Sequence, residues 1–152
     1  MRSILITTGI FPPESGGPAS FAHTLAGRLS ADAAVTVLAY SSVFYDRRDG
    51  VLPFRIVRVW KKNFKFLRHL VFLFRVLSLV RRADGILALN AVSAGVPTAL
   101  AARFARKPFA VRIVGDYAWE TAVNSGATHL LINDFQKAPR RGRSKLLHRL
   151  QV

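Results

Sequence analysis

Short apolar runs alternate along the chain with longer stretches in which apolar residues recur every three or four positions. The runs at 3–8, 35–40, 54–60, 85–90 and 109–114 are compact enough for buried strands. The stretches 18–30, 62–82 and 94–106 carry a helical period instead. Strands that alternate with helices predict βαβ units, and hence a mainly parallel sheet covered on both faces. The expected fold is therefore α/β, a Rossmann-like parallel sheet with helices on both faces. In such sheets ligands lie beyond the carboxyl ends of the strands, near the point where strand order reverses. Three loops are expected at that edge: residues 9–17, Asn90 with Ser93, and Gly115 with Asp116.

The 62–82 stretch has an unusually broad apolar face and a narrower polar stripe through Lys61, Lys65, Arg68, Arg75, Ser78 and Arg82. Phe66, Leu67, Leu70, Val71, Phe74, Leu77 and Val80 are expected to face the sheet. Phe72 interrupts the polar stripe, where with its Lys and Arg neighbours it could insert at a lipid interface. The alternative is a covering helix whose solvated face happens to be basic. The longest apolar stretch, 64–80, is broken by Lys65, Arg68, His69 and Arg75, which argues against a membrane span.

The 152 residues have the length of one domain, and a 51% hydrophobic content marks the chain as globular. With no cysteine, disulfides, thiolate metal sites and Cys nucleophiles are excluded. His23, His69, His129 and His148 lack zinc-ligand spacing, so no metal site is expected. A balance of 23 Lys+Arg against 8 Asp+Glu, net +15, creates a field that attracts polyanions, whether lipid, sugar phosphate or nucleic acid. Nucleic-acid motifs such as a zinc finger or an aromatic RNP pattern are absent, so no specific nucleic-acid partner is expected.

Two stretches carry candidate chemistry. The first runs from an apolar strand through FPPESGGP into a helix that opens near Pro18. Gly16 and Gly17 permit close ligand approach, and a helix N-terminus there offers N–H groups and a positive dipole end to an anion. The competing reading is a connection that merely needs a tight bend. No G-x-G-x-x-G is present, and the second strand ends at Tyr40-Ser41-Ser42 with no acid for a ribose, which speaks against a nicotinamide oxidoreductase. The second stretch, VRIVGDYAWE, follows a strand with Asp116 and Glu120 four apart, beside Tyr117 and Trp119. Carboxylates accept from sugar hydroxyls while aromatic rings cover apolar sugar faces. Equally, Asp116 could cap a helix while Trp119 packs in a core.

FPPESGGPASFAHTLAGRL, followed by RRADGILALNAVSAGVPTALAARFARKPFAVRIVGDYAWE, resembles the N-terminal, acceptor-side domain of the GT-B glycosyltransferases, specifically the family 4-like group. The likeness covers nearly the whole chain. It implies transfer of a sugar from a nucleotide-sugar donor, UDP- or GDP-linked, to a glycan or lipid-linked acceptor, with no permanently bound cofactor. Carried over by position, Gly16 and Gly17 approach the donor diphosphate. Glu14, Asn90, Gly115, Tyr117, Trp119 and Glu120 face the acceptor, and Asp116 stands in for the family's general base, because Val114, Gly115 and Asp116 occupy the end of the fifth strand where relatives place a histidine.

The resemblance further implies a hexosyltransferase whose donor-binding half is not in this sequence. Residues 1–136 are then the Rossmann-like domain, 137–152 its basic, incomplete end, and the chain alone is catalytically inactive. The expected setting is cytoplasmic, peripheral at the inner face of the membrane, docked through Lys61, Lys62, Lys65, Arg68 and Arg75. A non-catalytic basic module that binds anionic membrane or nucleic acid is the alternative.

Overall fold

Five strands, β1 (Arg2–Thr8), β2 (Ala33–Ser41), β3 (Arg55–Trp60), β4 (Gly85–Ala88) and β5 (Phe109–Val111), lie in the order β3-β2-β1-β4-β5. Every neighbouring pair is parallel, as the alternation of strands and helices requires. The computed structural model describes residues 1–137 except Asn63, Val114 and Asp116, and only the backbone of Lys65, Tyr117 and Ala118. It divides into two compact units, Met1–Arg112, which contains the whole sheet, and Ile113–Val152.

Side chains alternate across the sheet, so its two faces build two cores. On one face Ile6, Val35, Val37 and Ala39 pack against α1 (Gly17–Leu29) through Ala22 and Ala26. On the other, Leu5, Leu38, Tyr40, Val59 and Ile86 pack against α2 (Lys65–Val80) and α3 (Val96–Ala105). The predicted strands and helices match these ranges to within a few residues. Two turns carry no apolar period and are not visible in the sequence pattern: a 3₁₀ turn at Arg47–Val51 and a π-helical turn at Ala91–Gly95, which occupies the start of the stretch expected to be helical from 94.

The orientation of α2 differs from the expectation. Phe72 is fully buried, stacked on Tyr40 with ring centroids 4.3 Å apart, and Val76 and Val80 continue that stripe inward. Phe66 is 77% and Phe74 66% exposed, and Leu67 is exposed too, so the face assigned to the sheet lies partly in solvent. When nearly the whole circumference of a helix is apolar, its period cannot select the inner face. Tyr40, with a ring to stack and a hydroxyl to satisfy, selects it instead. Phe72 is thus a core residue and not a membrane-inserting one.

In the second unit, α4 (Tyr117–Asn124) and α5 (Ile132–Lys137) follow one another. The break expected at 139–142 and the helical pattern expected from Ser144 lie outside the described residues.

Candidate functional site at the strand-order reversal

The chain leaves β1 toward α1 on one face and β4 toward α3 on the other, so the connections diverge between these neighbouring strands and open a crevice at their carboxyl ends. Two loops border it. The loop after β1 reaches α1 through Gly16, whose φ of 143° is open only to glycine. No side chain caps α1, and Pro18 sits at its start. Gly17 is exposed, and a Cβ placed on it would meet nothing within 4 Å. Its lack of a side chain is therefore not a packing requirement, and the space beside it is open to a ligand.

The loop after β4 is closed on itself. Asn90 Oδ1 accepts from Ser93 N at 2.7 Å, from Ser93 Oγ at 2.9 Å and from Ala94 N at 3.4 Å. The two loops touch: a Cβ on Gly9 would stand 2.9 Å from Ser93 Oγ. The Ser93 carbonyl accepts the Tyr40 hydroxyl at 3.1 Å, and that hydroxyl lies 2.8 Å from His69 Nδ1 on α2. A relay thus runs from α2 through β2 to the rim. Burial raises the Tyr40 hydroxyl above its ordinary range and lowers the His69 imidazole, so both are neutral near pH 7.

Glu14 braces the glycine loop from below. Its Oε1 accepts from the backbone N–H and, at 2.7 Å, from the hydroxyl of Ser42 at the end of β2, with Lys61 Nζ 3.3 Å away. Burial pushes this carboxyl upward, but the hydrogen bonds from Ser42 outweigh it and hold it below the usual carboxylate range. Its Oε2 is buried without a partner. Lys61 is accordingly half engaged inside the fold, and Arg68 donates to the Lys61 carbonyl at 3.3 Å.

No protein-family model matches the sequence, and no curated protein is significantly similar to it. Solved structures do match in fold. MurG from Acinetobacter baumannii is 18% identical, with a TM-score of 0.53 over 73% of this chain and 34% of its own. The lipopolysaccharide outer core galactosyltransferase WaaB is 10% identical, with a TM-score of 0.50 over 73% of this chain and 32% of its own. A protein from Listeria monocytogenes described as a UDP-N-acetylglucosamine 2-epimerase covers 99% of this chain and 37% of its own, at 11% identity and a TM-score of 0.54. The fold is GT-B-like. The chain spans about a third of each of these proteins. The C-terminal domain of a hydrogenase from Pyrococcus furiosus matches comparably, at 13% identity and a TM-score of 0.53, so the sheet alone does not name a reaction.

Of the residues singled out in the sequence, this GT-B-like unit brings together Gly16, Gly17, Glu14 and Asn90 along one edge. Gly115, Trp119 and Glu120 belong to the second unit. There the Glu120 carboxylate covers Gly115 so closely that an added Cβ would stand 2.5 Å from Oε1, and Trp119 Nε1 donates to the Leu130 carbonyl at 2.8 Å. Tyr117 opens α4, and Asp116 lies outside the described residues. Among the described residues, no group of His, Asp or Glu is clustered to hold a metal ion.

Sequence reasoning missed three contributors: Ser42, the Tyr40–His69 pair and Arg112. The Arg112 guanidinium lies 3.8 Å over the Phe21 ring of α1, at the end of β5. Its only signal in the sequence was a cation just past a strand.

Proposed function

We propose that this chain is the acceptor-side half of a nucleotide-sugar-dependent glycosyltransferase. The uncapped glycine loop at the strand-order reversal carries this reading. Backbone N–H groups around Gly16 and Gly17, at the positive end of α1, suit the diphosphate of a UDP- or GDP-sugar, whose departing charge they would stabilise. The likeness of fold to MurG and WaaB agrees with it. In the transfer, the acceptor hydroxyl loses its proton to a base, its oxygen bonds to the anomeric carbon, and the bond to the nucleoside diphosphate breaks. We assign the base to Asp116, and the acceptor contacts to Glu14, Asn90, Gly115, Tyr117, Trp119 and Glu120. Glu14 and Asn90 act mainly by holding the rim, since each already spends a side-chain oxygen on it.

The donor-binding half is supplied by a second Rossmann-like domain, and the acceptor is a glycan or a lipid-linked glycan. Titration of the isotopically labelled chain with UDP and GDP is expected to shift the amides of Gly16, Gly17 and Ala19. Gly17→Val, which adds bulk into open space, is expected to weaken that binding about tenfold or more. Unchanged amides with both nucleotides would refute the donor seat.

A second observation extends the reading to a membrane. From 50 to 115 the sequence has Asp84 as its single acid. On α2 and just before it, Phe64 (87% exposed), Phe66, Leu67 and Phe74 stand in solvent beside Lys62 and Arg75. This mixture suits the surface of an anionic bilayer, where each cation adds about 1 kcal/mol. Lys62, Lys65, Arg68 and Arg75 remain the docking cations, while Lys61 serves Glu14 as well. No helix among the described residues is long and apolar enough to cross a membrane. Replacing Phe66, Phe74 and Arg75 together with Ser is expected to reduce cosedimentation with phosphatidylglycerol vesicles. Unchanged sedimentation removes the membrane reading, and a strong preference for random oligonucleotides would favour a nucleic-acid module.

A further inference from the structure

A cavity of about 270 Å³ opens between the outer side of α1 and the 3₁₀ connection from β2 to β3. None of Gly16, Gly17, Asn90 or Ser93 lines it, and nothing in the glycosyltransfer reading uses it. Its walls fall into three kinds.

The first wall is charged and internally neutral. Arg58, whose side chain is 3% exposed, donates to Asp49 through Nη2 at 2.6 Å and Nε at 2.8 Å, and to Ser41 Oγ through Nη1 at 3.0 Å. Arg48 grips Asp46 in the same two-pronged way, at 3.0 and 2.7 Å. A phosphate gains little here, because each guanidinium already faces a carboxylate that the phosphate would have to displace. Each carboxylate keeps acceptor capacity beyond these bonds.

The second wall is apolar, formed by Phe11, Pro12 and Leu52. Behind it Phe11 meets Phe54 edge-on at 6.1 Å, which fixes the Phe11 ring.

The third wall is the face of α1 that carries Ser20, His23 and Thr24. All three are exposed, and their hydroxyls and ring nitrogens have no hydrogen bond among the described residues. Ser20 and Thr24 lie one turn apart on the same face of α1, and both line the cavity.

Uncommitted groups that both donate and accept, an apolar floor and a balanced charge match a molecule that is ringed by hydroxyls, apolar on its C–H face and uncharged. The volume lies just under the range for drug-sized ligands, room for one ring. We propose that this cavity binds a single uncharged pyranose, with its hydroxyls on Ser20, Thr24 and the Asp46 and Asp49 carboxylates and its C–H face on Pro12, Leu52 and His23, which the buried Phe11 ring supports from behind. The site is separate from the nucleotide seat, and it stands whether or not the chain takes part in glycosyl transfer.

The test is titration of the labelled chain with methyl α-D-glucopyranoside, methyl α-D-mannopyranoside and methyl β-D-galactopyranoside. At least one is expected to give saturable shifts at the amides of Ser20, His23, Thr24 and Asp46 to Asp49. The variant carrying Ser20→Ala and Thr24→Val is expected to lose affinity about tenfold, the cost of two neutral hydrogen bonds, and His23→Ala several-fold. Ser20 and Thr24 are exposed on α1, so an unchanged melting temperature is expected for the double variant, which separates loss of binding from loss of fold; His23 also packs on Phe11 and Phe54, so its variant is read beside the double one.

Absence of saturable shifts with all three glycosides overturns the proposal. So does a wild-type affinity in the double variant, or stronger shifts at these amides with inorganic phosphate. UDP shifts at Gly17 that persist alongside a negative glycoside result would leave the transferase reading intact. Glycoside shifts without any UDP response would leave only the pyranose site.

Discussion

The two loops at the crevice solve one problem in opposite ways. Both must turn a strand into a helix and dispose of the N–H groups at the helix start. After β4, Asn90 accepts those N–H groups with its own side chain, and the π turn closes over it. After β1 no side chain does so; the chain passes through Gly16 at φ 143° and leaves the start of α1 uncapped. A fold that needed only stability would cap both, since a cap contributes about 1 kcal/mol. The contrast separates a β4 loop closed on its own side chain from a β1 loop that leaves the start of α1 open, which is the difference the proposed donor seat rests on. The glycines follow the same division: Gly95 is required by its neighbours, whereas Gly17 has none within 4 Å of its missing Cβ.

The largest effect that would sharpen this contrast is Gly95→Ala. The new Cβ would stand 2.6 Å from the Asn90 carbonyl oxygen, backbone against backbone, so the turn must move; we expect a loss of about 3 kcal/mol in denaturant unfolding. A change below about 0.5 kcal/mol would mean the π turn is not rigid and the contrast fails.

Next comes Asn90→Ala, which removes one acceptor from three donors. It is expected to cost about 1–2 kcal/mol, and nucleotide-dependent shifts at Gly17 should survive it in weakened form. If the variant is as stable as the wild type, Asn90 is not the cap of this loop.

A smaller effect concerns Glu14. Its folded-state carboxyl titrates below its unfolded value, so its contribution to stability is complete above the unfolded pKa of about 4.3 and is lost as pH falls through the folded value. Glu14→Gln should flatten the acid limb of the stability curve, and an identical acid limb in both proteins would contradict the bracing role.

The smallest change in stability is expected for Gly17→Ala, within about 0.5 kcal/mol of wild type in the same unfolding assay. A large loss would show that the start of α1 is structurally constrained and would erase its distinction from Gly95.

How much of this was legible in the sequence varies with the physics involved. Ile4, Leu5 and Ile6 in β1, or Val35 and Val37 in β2, announce themselves through short apolar runs, because burial of a strand on both faces leaves few polar positions. The glycine loop was equally visible, as Gly16 and Gly17 just before Pro18 mark a backbone that must turn and then become helical. The inward face of α2 was not, since Phe66, Phe72 and Phe74 are the same residue type on three sides of one helix. Nor was the bracing of Glu14 by Ser42, which lies 28 positions away.

The sequence by itself determined the succession of strands and helices, the parallel sheet and the glycine turn into α1. These depend on local periodicity and backbone freedom, which neighbouring residues encode. Only the tertiary structure decided that Phe72 stacks on Tyr40, that Glu14 and Asn90 spend their oxygens holding the rim, and that a neutral cavity lies beneath the outer side of α1. Those features arise from pairings between residues far apart in the chain, set by which groups can share a buried volume and which polar atoms find partners there.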